Sequence, residues 1–533
     1  MIFLGLLVGV YSYLLFLLGI LGLFSSDIIR YVSLLFLIIF AIFFAPVFVR
    51  DMRTFFSQGI KNHAGEHGLV LLLVIMSVVN LVGALGPELA FDALWYHLTL
   101  PKLYLLKESI VFIPGGLLYY SAMPKLVEML YVGGLAFGGE IYPKVTHFLF
   151  GLFTLVLVYR TSRLFVSKAI ALLACVIFYA NLVVAWESVT AYVDLVWAFY
   201  SFGSIYLFLL FTTEKKKIFL YLSSAFVGLA ISVKLVAVGS LLLLLLALLF
   251  LKFRMKDSYL LSKKDFFFVL LFSLVVPLPW FLFSLIHTGN PVYPFFSSLY
   301  SVSFPVFSVR NIFDTLSVFF VSSDPISPIY IICVPLVILF YKYFSRKEKM
   351  LLFLAGIALL VWFLTPKSGG GRFILTFLPL FSVLVVITAE KIKKNKLFYK
   401  LILFAIVITM MISIGYRGLA NSKYIPAISG KQPKGQFLGK NLNFSYGDFY
   451  DVDDFLAKKL SKSDVVLLIG FHNLSYVDFA YIDQSWVKKG DRFHYVAVQN
   501  DTLPKRFSVM KKIYENKQTG VSVYGSEGKT WIY

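Results

Sequence analysis

MIFLGLLVGVYSYLLFLLGILGLF, residues 1–24, carries no charged side chain. A helix needs roughly 20 apolar residues to cross about 30 Å of hydrocarbon, so this opening stretch is long enough to span a bilayer. It resembles a signal peptide in position and polarity, but it lacks a basic start and a small-residue cleavage site. It reads as a retained first helix. The same kind of run recurs at 31–49, 67–86, 141–159, 169–186, 193–211, 218–233, 235–251, 266–286, 328–341, 350–366, 373–389 and 401–416. The pair at 218–251 either turns near Lys234 or forms one bent helix. Composition agrees: of 533 residues 59% are hydrophobic and 14% charged, with a mean hydropathy of +0.84. Soluble domains average about 45–50% and about 25%. The expected fold is a polytopic α-helical membrane protein with about thirteen transmembrane helices.

The charge balance is strongly basic, 49 Lys and Arg against 28 Asp and Glu, a net +21. These cations sit in short runs between apolar segments, which is the positive-inside pattern rather than a nucleic-acid surface. With the N-terminus in the cytoplasm, the clusters Arg50 to Lys61, Arg160 to Lys168, Lys215 to Lys217, Lys252 to Lys264, Lys342 to Lys349 and Lys391 to Lys396 all fall on the cytoplasmic side. Two long loops, 87–140 and 287–327, and the tail from 417 onward then lie outside. Residues 1–416 form the membrane domain and 417–450 a linker. Residues 451–533, with apolar runs at Val465 to Ile469, His494 to Val498 and Val521 to Tyr524 and a helix-like Val452 to Leu460, read as a small extracytoplasmic α/β domain. Cys175 and Cys333 are both in apolar stretches, so neither a disulfide framework nor a thiolate metal site is expected.

The loop after the third span, Gly86 to Pro101, sets Glu88, Asp92 and His97 among Phe91, Trp95 and Tyr96. A carboxylate in such a partly dry niche can serve as a general base or ligate a divalent cation; the same spacing also suits an interfacial aromatic belt with an acidic helix cap. Glu187, Asp194, Lys234 and Arg372 lie at or near outer span ends, where ionisable groups are costly and are functional or mutually paired. Two cations and several carboxylates at one outer cavity suit an anionic lipid phosphate beside a base. A set of ion pairs holding the bundle together is the competing reading. The run Ser368 to Gly371 could let backbone amides approach a phosphate, or be a plain turn.

These residues carry a resemblance to the GT-C superfamily of membrane glycosyltransferases, in particular the branch of protein O-mannosyltransferases and aminoarabinose lipid A transferases. Its pieces, spread over residues 80 to 420, are FDALWYHL (91–98), AYVDL (191–195), GLAISVK (228–234), PW (279–280), TGNPVYP (288–294) and GRFILTFLPL (371–380). The resemblance implies Asp92 as catalytic base or metal-associated carboxylate, and Lys234 and Arg372 as the holders of a donor phosphate. It leaves His97, Tyr96, Glu187 and Asp194 as candidates for the substrate cavity. Many members carry a second acidic residue directly after the first, where this chain has Ala93; that brings in Glu88 as a substitute and leaves a divalent cation open. The implied activity is inverting transfer of a sugar from a polyprenyl-phosphate carrier to a hydroxyl on a lipid, glycan or protein, at the outer face of the cytoplasmic membrane. No nucleotide site and no nucleic-acid partner are implied. A flippase of lipid-linked glycans, or another multi-span transporter, is the alternative.

Overall fold

The computed structural model describes residues 1–59, 64–114, 118–254, 261–298, 308–317, 326–365, 370–442, 449–461, 463–525 and 529–533. Long apolar runs form α1 (Ile2–Ile20), α2 (Ser26–Gly59), which carries Pro46 inside it, and α3 (Ala64–Leu85). Two short helices, α4 (Thr99–Leu106) and α5 (Leu126–Phe137), follow in the first long loop. Then come α6 (Ile141–Ser162), α7 (Lys168–Tyr179), α8 (Leu182–Glu187), α9 (Asp194–Glu214), α10 (Lys217–Val233) and α11 (Val238–Arg254). The chain continues with α12 (Lys263–Val275), α13 (Leu278–Thr288), α14 (Val309–Ser317), α15 (Ile329–Phe340), α16 (Arg346–Leu364), α17 (Leu378–Ile392) and α18 (Lys396–Ser422). Of the two alternatives at 218–251, the structure has a break at Lys234: α10 stops at Val233 and Lys234 is extended, with φ −152°.

Eight of these helices are long and apolar enough to cross a membrane, and nine if α12 and α13, bent by 54° at Pro277, are one span. The sequence count of about thirteen is therefore not matched by length and hydropathy alone. Several of the additional helices, α7, α10 and α15 among them, are apolar but shorter. The outward faces confirm the solvent. On α18 the buried side chains Ile402, Ile406, Met410, Ser413, Arg417 and Asn421 recur every three or four residues, while Phe404, Ile408, Met411 and Ile412 face out. A helix whose outer face is as apolar as its inner one is built for lipid. At the other extreme, α9 and the stretch Gly371–Ile392 are enclosed on nearly every side. They form the centre of the bundle, and the candidate site lies at their N-terminal ends.

Beyond α18 the chain forms α19 (Ile425–Ile428), α20 (Lys434–Asn441) and α21 (Phe455–Lys459). Seven strands follow: β1 (Val465–Ile469), β2 (Ala480–Asp483), β3 (Arg492–Phe493), β4 (Tyr495–Val498), β5 (Lys512–Asn516), β6 (Val521–Gly525) and β7 (Trp531–Ile532). The main sheet has the order β2-β1-β4-β6-β5, with β1 parallel to β2 and β4 and the other neighbours antiparallel; β3 pairs with β7. The interior strand β1 is wholly apolar and almost wholly buried because it is covered on both faces.

This sheet region docks on the first long loop. Lys102 Nζ donates to the carbonyls of Ser475 (3.0 Å) and Val477 (2.8 Å) and pairs with Asp478 at 2.7 Å. Lys434 pairs with Glu140 at 2.9 Å, and the Tyr476 hydroxyl donates to the Glu88 carbonyl at 2.8 Å. Gly86 lies against Tyr424, where any Cβ would come within 2.2 Å of the ring. The loop and the tail therefore occupy the same side of the bundle.

Candidate active site

Lys144 and His147, one turn apart on α6, fix the two loops that carry the acidic residues. The Lys144 ammonium, fully buried, donates to the carbonyls of Gly83 (3.0 Å), Gly86 (2.6 Å) and Pro87 (3.1 Å) at the end of α3. His147 Nδ1 donates to the carbonyls of Glu187 (2.9 Å) and Thr190 (3.0 Å), and its Nε2 accepts from the Leu195 N–H at 3.0 Å. Those partners assign the Nδ1–H tautomer of a neutral ring. Sequence reasoning left both residues out, because each sits inside a run that reads simply as a span.

Glu88 closes the same junction. Its carboxylate accepts from the N–H groups of Leu89 (2.8 Å), Ala90 (2.8 Å) and Ala191 (2.6 Å), joining the loop after α3 to the loop before α9. Burial pushes its carboxyl above the ordinary value, against the pull of Lys144 and those N–H groups. Glu88 is not among the residues lining the cavity described below; its carboxylate oxygens hold the backbone of two loops.

Five residues later the chain turns through a π-helical segment, Ala93–His97, a geometry that is rare and frequent at functional sites. It directs Asp92, Trp95, Tyr96 and His97 onto the wall of a cavity of about 490 Å³, shared with Tyr120, Lys125, Glu128, Tyr192, Lys234 and Arg372. Arg372, in the 3-10 segment Gly370–Phe377, joins the acidic groups. Its Nη1 donates to Asp92 Oδ2 at 2.7 Å, and its Nε lies 3.3 Å from Asp194 Oδ2 and 4.0 Å from Glu187 Oε1. The guanidinium stacks 4.6 Å from the Tyr192 ring centre. Lys234 Nζ pairs with Asp194 Oδ1 at 2.7 Å and lies 4.6 Å from the Phe373 ring centre. Asp194 and Glu187 are fully buried behind these cations and are not in the cavity wall. Of the run at Ser368, Ser368 and Gly369 lie outside the described residues, and Gly370 and Gly371 open the 3-10 segment that carries Arg372.

Lys125, Glu128 and Tyr192 were not singled out from sequence. A signal was present for the first two: a Lys and a Glu three apart, after a proline, in an otherwise apolar stretch. His97 Nδ1 and Glu128 Oε1 are 2.8 Å apart, and Lys125 Nζ is 3.8 Å from the same oxygen. Among the described residues no three His, Cys, Asp or Glu side chains gather as metal ligands, and the oxygen of Asp92 nearest the cations is taken by Arg372. Among the described residues, then, the donor set around Asp92 does not fit a divalent cation.

The family model for dolichyl-phosphate-mannose-protein mannosyltransferases matches residues 121–289, which hold Lys125, Asp194 and Lys234. In structure the chain is similar to ArnT from Cupriavidus metallidurans. Against ArnT bound to undecaprenyl phosphate the TM-score is 0.61 at 12% identity, over 86% of this chain and 98% of that one. Against the apo state it is 0.59 at 14% identity, over 87% and 98%. No curated protein matches by sequence. The family match covers less than half of the chain, and the likeness to ArnT shows a shared multi-pass helical fold.

Proposed function

We propose that the chain transfers a sugar from a polyprenyl-phosphate donor to an acceptor hydroxyl, with inversion, at the outer face of the cytoplasmic membrane. The observation that carries the reading is the convergence of Asp92, Lys234 and Arg372, from three distant parts of the sequence, on one cavity. The likeness to a protein seen with undecaprenyl phosphate supports the donor class. The basic clusters support the orientation, with the loop 87–140 and the domain at 451–533 outside, beyond the linker 417–450.

In the reaction Asp92 takes the proton of the acceptor hydroxyl while its oxygen attacks the anomeric carbon. The bond from that carbon to the phosphate oxygen breaks, and its electron pair leaves with the lipid phosphate. Lys234 and Arg372 stabilise that growing charge. One displacement inverts the configuration. The ground-state pairing adds a control: Arg372 neutralises Asp92 until a phosphate competes for the guanidinium, so the base is released when the donor arrives. Tyr96, Trp95 and Tyr120 give the cavity an aromatic wall suited to sugar faces.

The test is transfer by the purified protein in lipid nanodiscs, with mass spectrometry of polyprenyl-phosphate sugars and envelope glycans in cells with and without the gene. Accumulation of a lipid-linked sugar and loss of one glycan modification are expected. An unchanged profile of both, with no transfer in vitro from a panel of lipid-phosphate sugars, would sink the proposal.

A further inference from the structure

The segment Met123-Pro-Lys-Leu-Val-Glu128 opens α5. Pro124 precedes Lys125, which caps the helix in a non-helical conformation, so Lys125 and Glu128 share one face a turn apart. Both are nearly fully buried, with side chains 3% and 2% exposed. Two charges in so dry a place need partners. Glu128 Oε1 has two: His97 Nδ1 at 2.8 Å and Lys125 Nζ at 3.8 Å. The first is a hydrogen bond in which the imidazole donates, which leaves His97 Nε2 without a partner and the ring neutral. The second is an ion pair too long for a hydrogen bond, so the ammonium keeps its N–H donors for whatever fills the cavity it lines.

We propose that Glu128, buttressed by His97, is a positioning residue for Lys125: it keeps that ammonium charged and turned toward the donor phosphate. The inference rests on the donor site proposed above and adds a third cation to it, held by a device separate from the Arg372 and Lys234 pairs. The groups around it are few. Tyr96, with its ring centre 5.8 Å from Lys125 Nζ, and His97 face it from the π-helical segment. Tyr104 reaches Glu128 from α4, and Asp92, Arg372 and Tyr120 act on Tyr96 across the cavity. Among these Glu128 alone is both anionic and in contact with Lys125. Burial lowers the Lys125 amine from its ordinary value and Glu128 offsets it. Burial would raise the Glu128 carboxyl, but Lys125 and His97 outweigh that and hold it low. Each charge therefore supports the other.

The experiment measures binding of undecaprenyl phosphate to the full chain in nanodiscs between pH 6 and pH 8. In Glu128→Gln burial acts on Lys125 unopposed, so affinity should fall roughly tenfold at pH 8, the worth of one charge-assisted contact, and return toward wild type at pH 6. A merely structural Glu128 gives no such pH rescue. Lys125→Arg with Glu128→Gln should bind without the pH limb, because a guanidinium stays charged. If Glu128→Gln alone prevents folding, Lys125→Met with Glu128→Gln removes both charges together. That pair should fold and show the weaker, pH-independent affinity of Lys125→Met. Wild-type affinity in Glu128→Gln across the range, a pH limb that survives Lys125→Arg, or wild-type affinity in the Met and Gln pair would overturn the proposal. Failure of the wild-type protein to bind undecaprenyl phosphate at all would instead overturn the donor site.

Discussion

Replacing Arg372 by Met removes the guanidinium that faces three carboxylates at once. Asp92 loses its partner at 2.7 Å, Asp194 loses the contact at 3.3 Å and keeps only Lys234, and Glu187 loses the cation 4.0 Å away. Asp92 is 18% exposed and relaxes toward cavity water, but Asp194 and Glu187 are at 0% and cannot. Breaking a buried pair by deleting one partner costs about 3–5 kcal/mol, and that is the expected loss of stability without ligand. Adding Glu187→Gln to Arg372→Met removes the buried carboxylate left without its cation and leaves Lys234 and Asp194 as a balanced pair, so the double variant should regain about 1 kcal/mol through coupling between contacting groups. The assay is unfolding of the purified protein in detergent, with and without undecaprenyl phosphate. At a concentration of about 100 Kd a bound ligand adds roughly 2.7 kcal/mol. That increment should vanish in both variants, including the one whose stability recovers. Unchanged stability in Arg372→Met would refute the pairing, and a preserved increment in the double variant would refute the role in phosphate binding.

Asp92→Asn keeps size and loses the base, so turnover should fall about 10²–10⁴-fold while undecaprenyl phosphate still binds; transfer at the wild-type rate would remove Asp92 from the mechanism. Cysteines placed at Glu108 and Ser508 should react with a membrane-impermeant maleimide from outside and one at Lys342 should not; the opposite pattern would invert the orientation. Burial raises the Asp483 carboxyl to about 6, so its neutral form is the one the fold prefers. That contribution is complete below about pH 4 and lost as pH rises through 6. Asp483→Asn should therefore match wild type at pH 4 and exceed it above pH 6, by up to about 3 kcal/mol, as read from melting of the extramembrane sheet by circular dichroism.

The membrane class was legible because apolar runs need no partner to declare themselves, and each predicted run is helical. The number of spans was not, since α7, α10 and α15 are apolar yet short, and a crossing depends on tilt and neighbours as well as hydropathy. Lys234 and Arg372 stood out because charge at a span end is expensive. The hydrogen bonds of Glu88 were not legible, because spacing cannot show which carboxylate has spent its lone pairs on backbone N–H groups. Lys125 and Glu128 escaped because they read as loop, although they are as buried as any span residue. In the tail, the strands at Val465, Tyr495 and Val521 follow the apolar runs, while β2 and β5 are too mixed in polarity to have been seen. The predicted helix Val452 to Leu460 is shortened to Phe455–Lys459 by Asp454, which takes a left-handed conformation at its start.

The hydrogen bond from Tyr476 to the Glu88 carbonyl joins residues 388 positions apart. A ribosome adding about 5–20 residues per second leaves the Asp92 segment without that partner for roughly 20–80 s. During this interval the nascent chain has its lipid-facing helices but an unfinished catalytic loop. The sheet domain, made after the bundle, then ties down the loop that leads to Asp92.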